Sequence, residues 1–259
     1  MDAVRAVRLG IDVTDARAWA ARLTRCPGLA ATAFTGRELS ETGAEPGALA
    51  SVWAIKEAVV KALGTGFAGI GWRGVEVRSP AGRPASVRLT GDLPPWVYDS
   101  DAVRLAVRGP HSAADAPRTL LAAVALTAPT GPGTHIVATA RTDQVRDVFD
   151  GPRAGRAARA GAAVRRTAER AARAVLEPYD GPWTWTRTEQ GAPLLRTRDG
   201  RHLPVALSHG AGITAALVAA PAPRTASDST PTTATTSQQS LLLTIIDDDY
   251  LLEGVSASD

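Results

Sequence analysis

Residues 49–63 carry the clearest helical pattern of apolar positions in the chain. Six apolar side chains recur every three or four residues and form a single stripe: Leu49, Val52, Trp53, Val59, Val60 and Leu63. Gly64 and Gly66 predict the end of this helix, because glycine adopts the left-handed conformation without a Cβ penalty. Just upstream, Pro46-Gly47 predicts the turn that precedes the helix.

The charged residues of this helix are Lys56, Glu57 and Lys61. At 100° per residue, Lys56 points into the apolar stripe, whereas Glu57 and Lys61 lie one turn apart on its flank. A lysine directed at a core is costly unless it meets an anion or a carbonyl. The 29 basic residues include only two lysines, both in this helix, which favours a site that needs a compact ammonium. An ordinary surface pair of Glu57 and Lys61, or chance clustering, is the alternative.

The patterns before the central helix predict a strand and a helix. Residues 4–13 alternate as a half-buried strand, and a helix follows over residues 16–25. The apolar face of the strand consists of Val7, Leu9, Ile11 and Val13. Asp12 lies on the polar face, where a capping or turn role near Thr14-Asp15 is the simplest interpretation of this residue alone.

The remaining patterns divide the chain into two halves, residues 1–128 and 135–220, joined by a Pro- and Gly-rich linker at 129–134. Strands are predicted in the first half at 72–78, 86–89, 103–107 and 119–128. In the second half, strands are predicted at 135–140, 183–188, 203–209 and 213–219, together with a long helix at 153–177.

Composition excludes several classes of protein and site. The single cysteine, Cys26, excludes an internal disulfide and a cysteine zinc cluster, as is typical of a reducing cytoplasm. The four histidines show no metal-ligand spacing. No segment has the apolar length of a membrane span, and the residues up to Arg17 lack the apolar region of a signal peptide. We therefore expect a cytoplasmic protein.

Charge is distributed unevenly along the chain. The helix predicted at 153–177 is rich in arginine, and only Glu169 opposes the arginines up to Leu176. Such a run is typical of a solvated face, and it also fits a surface for phosphates or for an acidic protein. Residues 225–259 carry six acidic and no basic side chains. We expect residues 221–259 to form a disordered linker and an acidic tail, because Ala, Pro, Ser and Thr dominate its first twenty positions.

Two motifs taken together resemble the 4′-phosphopantetheinyl transferase superfamily. They are Gly10-Ile11-Asp12 and, about forty residues later, the segment from Trp53 to Gly66 (WAIKEAVVKALGTG). The resemblance covers residues 5–128, which look like one unit of the small, holo-acyl-carrier-protein-synthase type, and it includes the turn Gly82-Arg83-Pro84. Residues 1–128 would accordingly be the catalytic half.

The second half resembles the N-terminal half of the larger, surfactin-synthetase-activating subclass. The resemblance rests on the basic helix, the turn at 190–193 and the segment Leu207-Ser208-His209, and the order of the two halves is reversed here. It implies an α+β fold, namely a pseudo-dimer of two related halves with antiparallel sheets and an active site at their interface.

The resemblance implies Mg²⁺-dependent transfer of 4′-phosphopantetheine from coenzyme A to a serine of an apo acyl or peptidyl carrier protein, with release of 3′,5′-ADP. Asp12 and Glu57 match the Mg²⁺ ligands, in keeping with the preference of this ion for oxygen. Glu57 and Lys61 match the catalytic residues, Glu57 as acceptor of the serine proton and Lys61 at the phosphates. Lys56 matches the other lysine of the motif and is assigned to the coenzyme site in a positioning role.

In the second half, the resemblance assigns Ser208 and His209 to the 3′-phosphate of coenzyme A. Arg166 is assigned to the coenzyme as well, with Arg153 and Arg156 as looser matches. This sequence departs from the larger subclass at Thr14, which replaces a third carboxylate and leaves room for a water, and at Ala192, which replaces a basic residue.

The implied partners are coenzyme A and an acidic apo carrier protein, bound by a monomer. One alternative is a catalytically silent relative that binds a carrier protein without modifying it. The other is a nucleic-acid-binding protein that uses the arginine-rich helix. An aromatic content of 5% and the lack of a nucleic-acid-binding motif argue against the second alternative, so we expect no nucleic-acid partner.

Overall fold

The structure is a computed structural model, and it describes residues 7–78, 86–93, 97, 104–112, 119–127, 136–144, 155–175, 182–189, 191–210, 212–221 and 241–247. The elements of the first half are β1 (Val7–Asp15), α1 (Ala16–Arg25), α2 (Gly28–Ala33), α3 (Gly36–Thr42), α4 (Pro46–Leu63), α5 (Gly66–Ile70), β2 (Val75–Arg78), β3 (Ser86–Leu89), β4 (Arg104–Ser112) and β5 (Thr119–Thr127). Those that follow are β6 (Ile136–Gln144), α6 (Arg156–Val175), β7 (Thr184–Arg187), β8 (Pro193–Arg196), β9 (His202–Gly210), β10 (Ile213–Pro221) and β11 (Leu241–Asp247). The linker at 129–134, the turn Gly82-Arg83-Pro84 and Arg153 lie outside the described residues.

The central helix α4 begins earlier than its apolar pattern predicts. Pro46 is its first residue rather than part of a preceding turn, and a proline fits there because the first helical N–H has no partner within the helix. Glu45 caps the helix, since its side chain accepts a hydrogen bond from the backbone N–H of Ala48 at 2.7 Å. The predicted end is confirmed, because Gly64 adopts the left-handed conformation with a φ of 73°.

The chain folds as an α+β protein in which each half packs a long helix against a sheet. In the first half, α4 packs on β1 and β5 of a sheet with the strand order β1-β5-β4, beside the hairpin β2-β3. In the second half, α6 packs on β6, β10 and β9 of a sheet with the order β11-β6-β10-β9-β8-β7. The predicted antiparallel hairpin of β9 and β10 is confirmed. None of the described helices is long and apolar enough to cross a membrane.

The two halves meet along one face of β1. The predicted apolar face of this strand is buried, and it packs on the second sheet rather than on α4. Its partners are small or aliphatic side chains of β6, β9 and β10: Ala138, Ala140, Ala206, Ile213, Ala215, Leu217 and Ala219. The contact brings β9, which carries Ser208, alongside β1, which carries Asp12.

The segment 221–259, for which a disordered linker and an acidic tail were expected, contains a strand that the sequence analysis did not predict. Residues Leu241–Asp247 form β11, which pairs with β6 in parallel orientation. The strand pairs of both sheets are antiparallel as predicted, except for this one parallel pair in the second sheet. A run of three leucines followed by threonine and two isoleucines has high strand propensity, and this run outweighs the polar composition of the residues around it.

The opposite face of β1 lies against α4, and Gly10 makes this close approach possible. A Cβ built on Gly10 would lie 1.8 Å from the carbonyl oxygen of Ala58 and 2.7 Å from the amide nitrogen of Ala62. Both are backbone atoms of α4, so they cannot rotate away as a flexible side chain would. The glycine of the Gly10-Ile11-Asp12 motif is thus required by packing between the strand and the helix.

We expect Gly10→Ala to reduce the free energy of unfolding by roughly 3 kcal/mol, because the helix must shift to admit the methyl group. Chemical denaturation of the full chain measures this loss. Gly36→Ala is the matched control, since a Cβ on Gly36, at the start of α3, has no atom within 4 Å. Equal stability of the two variants would contradict the packing argument.

Candidate active site

Asp12 lies near the end of β1, and each of its carboxylate oxygens is hydrogen-bonded. Lys61 Nζ donates to Asp12 Oδ1 at 2.7 Å and Ser208 Oγ donates to the same oxygen at 3.3 Å. Thr14 Oγ1 donates to Asp12 Oδ2 at 2.6 Å. The capping role considered for Asp12 belongs to Asp15, which caps α1 through the N–H groups of Arg17 and Ala18. Asp12 is therefore free of a structural capping role and is held in one orientation by three donors.

Lys61 extends from the last turn of α4 to this carboxylate. Besides Asp12, its ammonium donates to the carbonyl oxygen of Ile11 at 3.0 Å and to Ser208 Oγ at 3.4 Å. Its side chain remains 36% exposed, so a ligand can still approach the ammonium. The surface pair between Glu57 and Lys61 that the spacing allowed is not among the ion pairs of the described residues, because Lys61 turns towards Asp12 instead.

Glu57 lies on the adjacent part of α4 and lines a cavity of about 400 Å³ together with Asp12. The walls are formed by β1, α1 and α4, through Asp12, Val13, Thr14, Asp15, Ala18, Trp19, Arg22, Arg25, Trp53 and Glu57. Among the residues that the structure describes, no hydrogen-bond donor reaches the Glu57 carboxylate. Burial, reinforced by the negative charge of Asp12, raises the pKa of Glu57 above its ordinary value, although Lys61 and Arg22 act in the opposite direction.

These two carboxylates fit a divalent cation. Carboxylate oxygens are the ligands that Mg²⁺ prefers, and this ion is usually held by one or two carboxylates together with waters and substrate phosphates. The pKa of Glu57 is raised first by burial and then by the charge of Asp12, and a cation between the two carboxylates would offset both effects. The described residues contain no cluster of three or more His, Cys, Asp or Glu side chains, so the remaining ligands would come from substrate or solvent.

Lys56 does not line this cavity, so its assignment to the coenzyme site stays a prediction and is limited to the indirect positioning role. The side chain is fully buried and forms an ion pair with Glu38 at 2.8 Å. The ammonium also donates to three carbonyl oxygens, those of Ala33, Trp72 and Val75. Burial lowers the pKa of Lys56, although Glu38 favours the charged form. Lys56 is a structural residue of the core beside Glu57, and it has no surface with which to contact a coenzyme.

Sequence reasoning missed Glu38, which is the acidic partner of Lys56. Its carboxylate accepts from Lys56, from the N–H of Thr35 at 2.8 Å and from the N–H of Val77 at 2.8 Å. Thr35 in turn accepts from the N–H of Glu38, and the two residues form a capping box at the start of α3. The spacing Thr-x-x-Glu was the available signal for the cap, but nothing in it indicates a second, long-range partner.

The second half contributes Ser208 directly to the Asp12–Lys61 pair. Its hydroxyl also accepts a hydrogen bond from the backbone N–H of Val13 at 3.1 Å. His209 is exposed, and because neighbouring strand residues point to opposite faces it lies on the side of the sheet that carries α6. Arg166 is exposed on α6, and its neighbour Thr167 is hydrogen-bonded to Thr214 of β10. Thr214 pairs with His209 across the sheet. Ser208 and His209 therefore face different environments, whereas the sequence pattern treated them as a pair.

Comparisons with known proteins identify the family. A sequence model of the 4′-phosphopantetheinyl transferase superfamily matches residues 8–114. The holo-[acyl-carrier-protein] synthase of Alkaliphilus metalliredigens is 40% identical over 80 residues, which make up 29% of this chain and 66% of that protein. The protein of the same name from Frankia alni is 41% identical over 87 residues, or 34% of this chain and 71% of that protein.

Among solved structures, holo-[acyl-carrier-protein] synthase from Neisseria meningitidis aligns with a TM-score of 0.40 at 22% identity, over 46% of this chain and 96% of that one. The family match at residues 8–114 lies within the first half and includes Asp12, Glu57 and Lys61. By this sequence similarity, the chain belongs to the 4′-phosphopantetheinyl transferase superfamily.

Proposed function

We propose that this chain transfers the 4′-phosphopantetheine group of coenzyme A to a serine of an apo acyl or peptidyl carrier protein, with Mg²⁺, and releases 3′,5′-ADP. The observation that carries the proposal is the convergence of Asp12 and Glu57 on one cavity, with Lys61 paired to Asp12. The names of the relatives from Alkaliphilus and Frankia point to the same acceptor, an acyl carrier protein.

In this mechanism the serine oxygen forms a bond to the β-phosphorus of coenzyme A, and the bond from that phosphorus to the 3′,5′-ADP oxygen breaks. Glu57 accepts the serine proton, directly or through water, because its carboxylate lines the cavity and meets no hydrogen-bond donor among the described residues. Lys61 places a positive charge near the phosphates, and Asp12 and Glu57 hold the cation. Held by these two carboxylates, Mg²⁺ would neutralise charge on the pyrophosphate.

Two features support the proposed partners. Arg22 and Arg25 are exposed on α1 and line the cavity beside the two carboxylates, which suits an acidic carrier protein. Ser208 reaches the site from the second half of the same chain, which favours a monomer as the active form. On the α6 side of the second sheet, His209 is the proposed contact for the 3′-phosphate of coenzyme A, and Arg166 is a further proposed contact for the coenzyme.

The test is incubation of the full chain with coenzyme A, Mg²⁺ and a panel of acidic apo carrier proteins, followed by intact-mass measurement. We expect at least one carrier to gain the phosphopantetheine mass, and the gain to require Mg²⁺ and the acceptor serine. Replacement of that serine by alanine in the carrier is the control. If no carrier is modified although carriers bind, the chain is a catalytically silent relative and the proposal is wrong.

A further inference from the structure

We propose that Ser208 is a positioning residue that fixes Asp12 and Lys61 from the second half of the chain, rather than a ligand of coenzyme A. The inference rests on the proposed function, because it assigns Asp12 to a divalent cation. It changes the role that the sequence pattern gave to Ser208, and it makes the second half part of the metal site.

The geometry of the Ser208 hydroxyl carries the inference. Ser208 is only 8% exposed, and its oxygen lies 3.1 Å from the backbone nitrogen of Val13. The same oxygen lies 3.3 Å from Asp12 Oδ1 and 3.4 Å from Lys61 Nζ. Each of these partners is about 150 to 200 positions away along the sequence, so the contacts exist only when both halves are folded together.

The hydrogen-bonding capacity of this hydroxyl is fully used. A serine hydroxyl has one proton and two lone pairs. The proton is donated to Asp12, and the two lone pairs accept from Val13 and Lys61. A phosphate oxygen is an acceptor, so it would have to take the single proton away from Asp12. The site as built therefore uses Ser208 to orient its own residues and has no donor left on Ser208 for the coenzyme.

The backbone contact strengthens the argument. Strand β1 is an edge strand of its sheet, with β5 on one side only. The N–H of Val13 donates to Ser208 Oγ, so this strand is tied to the second half through its main chain. Ser208 thus holds the main chain next to Asp12 as well as the carboxylate itself. With Thr14 on Oδ2 and with Lys61 and Ser208 on Oδ1, the carboxylate has no freedom to rotate without losing a hydrogen bond.

Residues that orient metal-binding carboxylates typically change metal affinity by 10–100-fold when they are removed. We therefore expect Ser208→Ala to weaken binding of Mn²⁺, used as a spectroscopic substitute for Mg²⁺, by about tenfold in the presence of coenzyme A. Electron paramagnetic resonance of free Mn²⁺ measures the affinity without any transfer reaction. The KM for coenzyme A should stay within about twofold of the wild-type value at saturating metal.

Two variants control the experiment. Ser51→Ala removes a hydroxyl from α4, the helix that carries Glu57 and Lys61. Among the described residues this hydroxyl donates to the carbonyl oxygen of Gly47 at 3.1 Å. The Ser51→Ala variant should bind Mn²⁺ as the wild type does. Ser208→Thr retains a hydroxyl and should recover most of the affinity lost in Ser208→Ala. If the threonine variant is as weak as the alanine variant, the hydroxyl is not the cause and the inference is wrong.

The opposite assignment gives a different result. If Ser208 binds the 3′-phosphate, Ser208→Ala will leave Mn²⁺ affinity unchanged and raise the KM for coenzyme A but not for 3′-dephospho-coenzyme A. That outcome, or an absence of Mn²⁺ binding by the wild type, overturns the inference. A wild type that binds Mn²⁺ and modifies no carrier refutes the proposed function, while the comparison of Ser208→Ala with the wild type still decides the role of Ser208.

Discussion

Glu57→Gln is expected to lower the rate of phosphopantetheine transfer by about 10²–10⁴-fold and, at the same time, to raise the stability of the protein at neutral pH. The loss of rate follows from removing a proposed metal ligand and proton acceptor. The gain in stability follows from the raised pKa, because the folded protein holds the Glu57 proton more tightly than the unfolded chain. Charged Glu57 therefore disfavours folding above that pKa, and glutamine removes this effect.

Thermal melting measured across a range of pH tests the predicted gain in stability. The melting temperature of Glu57→Gln should exceed that of the wild type at pH 7.5, because the charged carboxylate disfavours the folded state at that pH. The difference should shrink as the pH falls through the pKa of Glu57 in the folded protein, since the wild type then carries a neutral side chain too. Glu189→Gln, on an exposed residue, is the control. If the Glu57→Gln protein is less stable than the wild type at every pH, the predicted direction of the change in stability is wrong.

Lys56→Ala is expected to destabilise the fold by about 3–5 kcal/mol, because it leaves the Glu38 carboxylate buried without its counter-charge. The loss should exceed that of an ordinary truncation, since three carbonyl oxygens also lose their donor. Denaturant titration measures the free energy of unfolding.

We expect the double variant with Lys56→Met and Glu38→Gln to be more stable than Lys56→Met alone, because neutralising Glu38 removes the uncompensated charge.

If the effects of Lys56→Met and Glu38→Gln on the free energy of unfolding simply add in the double variant, the two side chains act independently. The interpretation of a buried ion pair would then be wrong. Arg37→Met with Glu41→Gln is a matched control, because these residues form an exposed pair one turn apart on α3. Such exposed pairs contribute little, so their coupling should be no more than a few tenths of a kcal/mol.

Lys56 illustrates what the sequence could predict about the core. Its place within the apolar stripe of the helix indicated that the ammonium must meet an anion or a carbonyl, and the structure confirms both kinds of partner. The identity of the partner could not be predicted, because Glu38 lies on a different helix and periodicity describes one element at a time. The family pattern assigns Lys56 to the coenzyme site in a positioning role, which stays a prediction, because a motif does not record which way a side chain points.

In the candidate site, too, the sequence predicted which residues matter but not their contacts with distant parts of the chain. The positions of Asp12, Glu57 and Lys61 follow from two motifs, and the structure brings Asp12 and Glu57 to one cavity and pairs Asp12 with Lys61. Ser208 was found from its motif, but its contacts with Val13 and Asp12 depend on how two sheets pack, which no local pattern describes. The relation of the second half to the surfactin-synthetase-activating subclass remains a prediction.

The pairing of β11 with β6 has a consequence for the solubility of shortened forms of the chain. An edge strand exposes a row of unpaired backbone N–H and C=O groups, which can recruit a strand from another molecule and start aggregation. Here the row on β6 is covered by residues that come from far along the chain, after the segment 222–240. A protein cut between β10 and β11 would keep every proposed site residue, but its edge strand would be β6 rather than β11, and it would lose the charged Asp247 at the end of β11, which opposes edge-to-edge association.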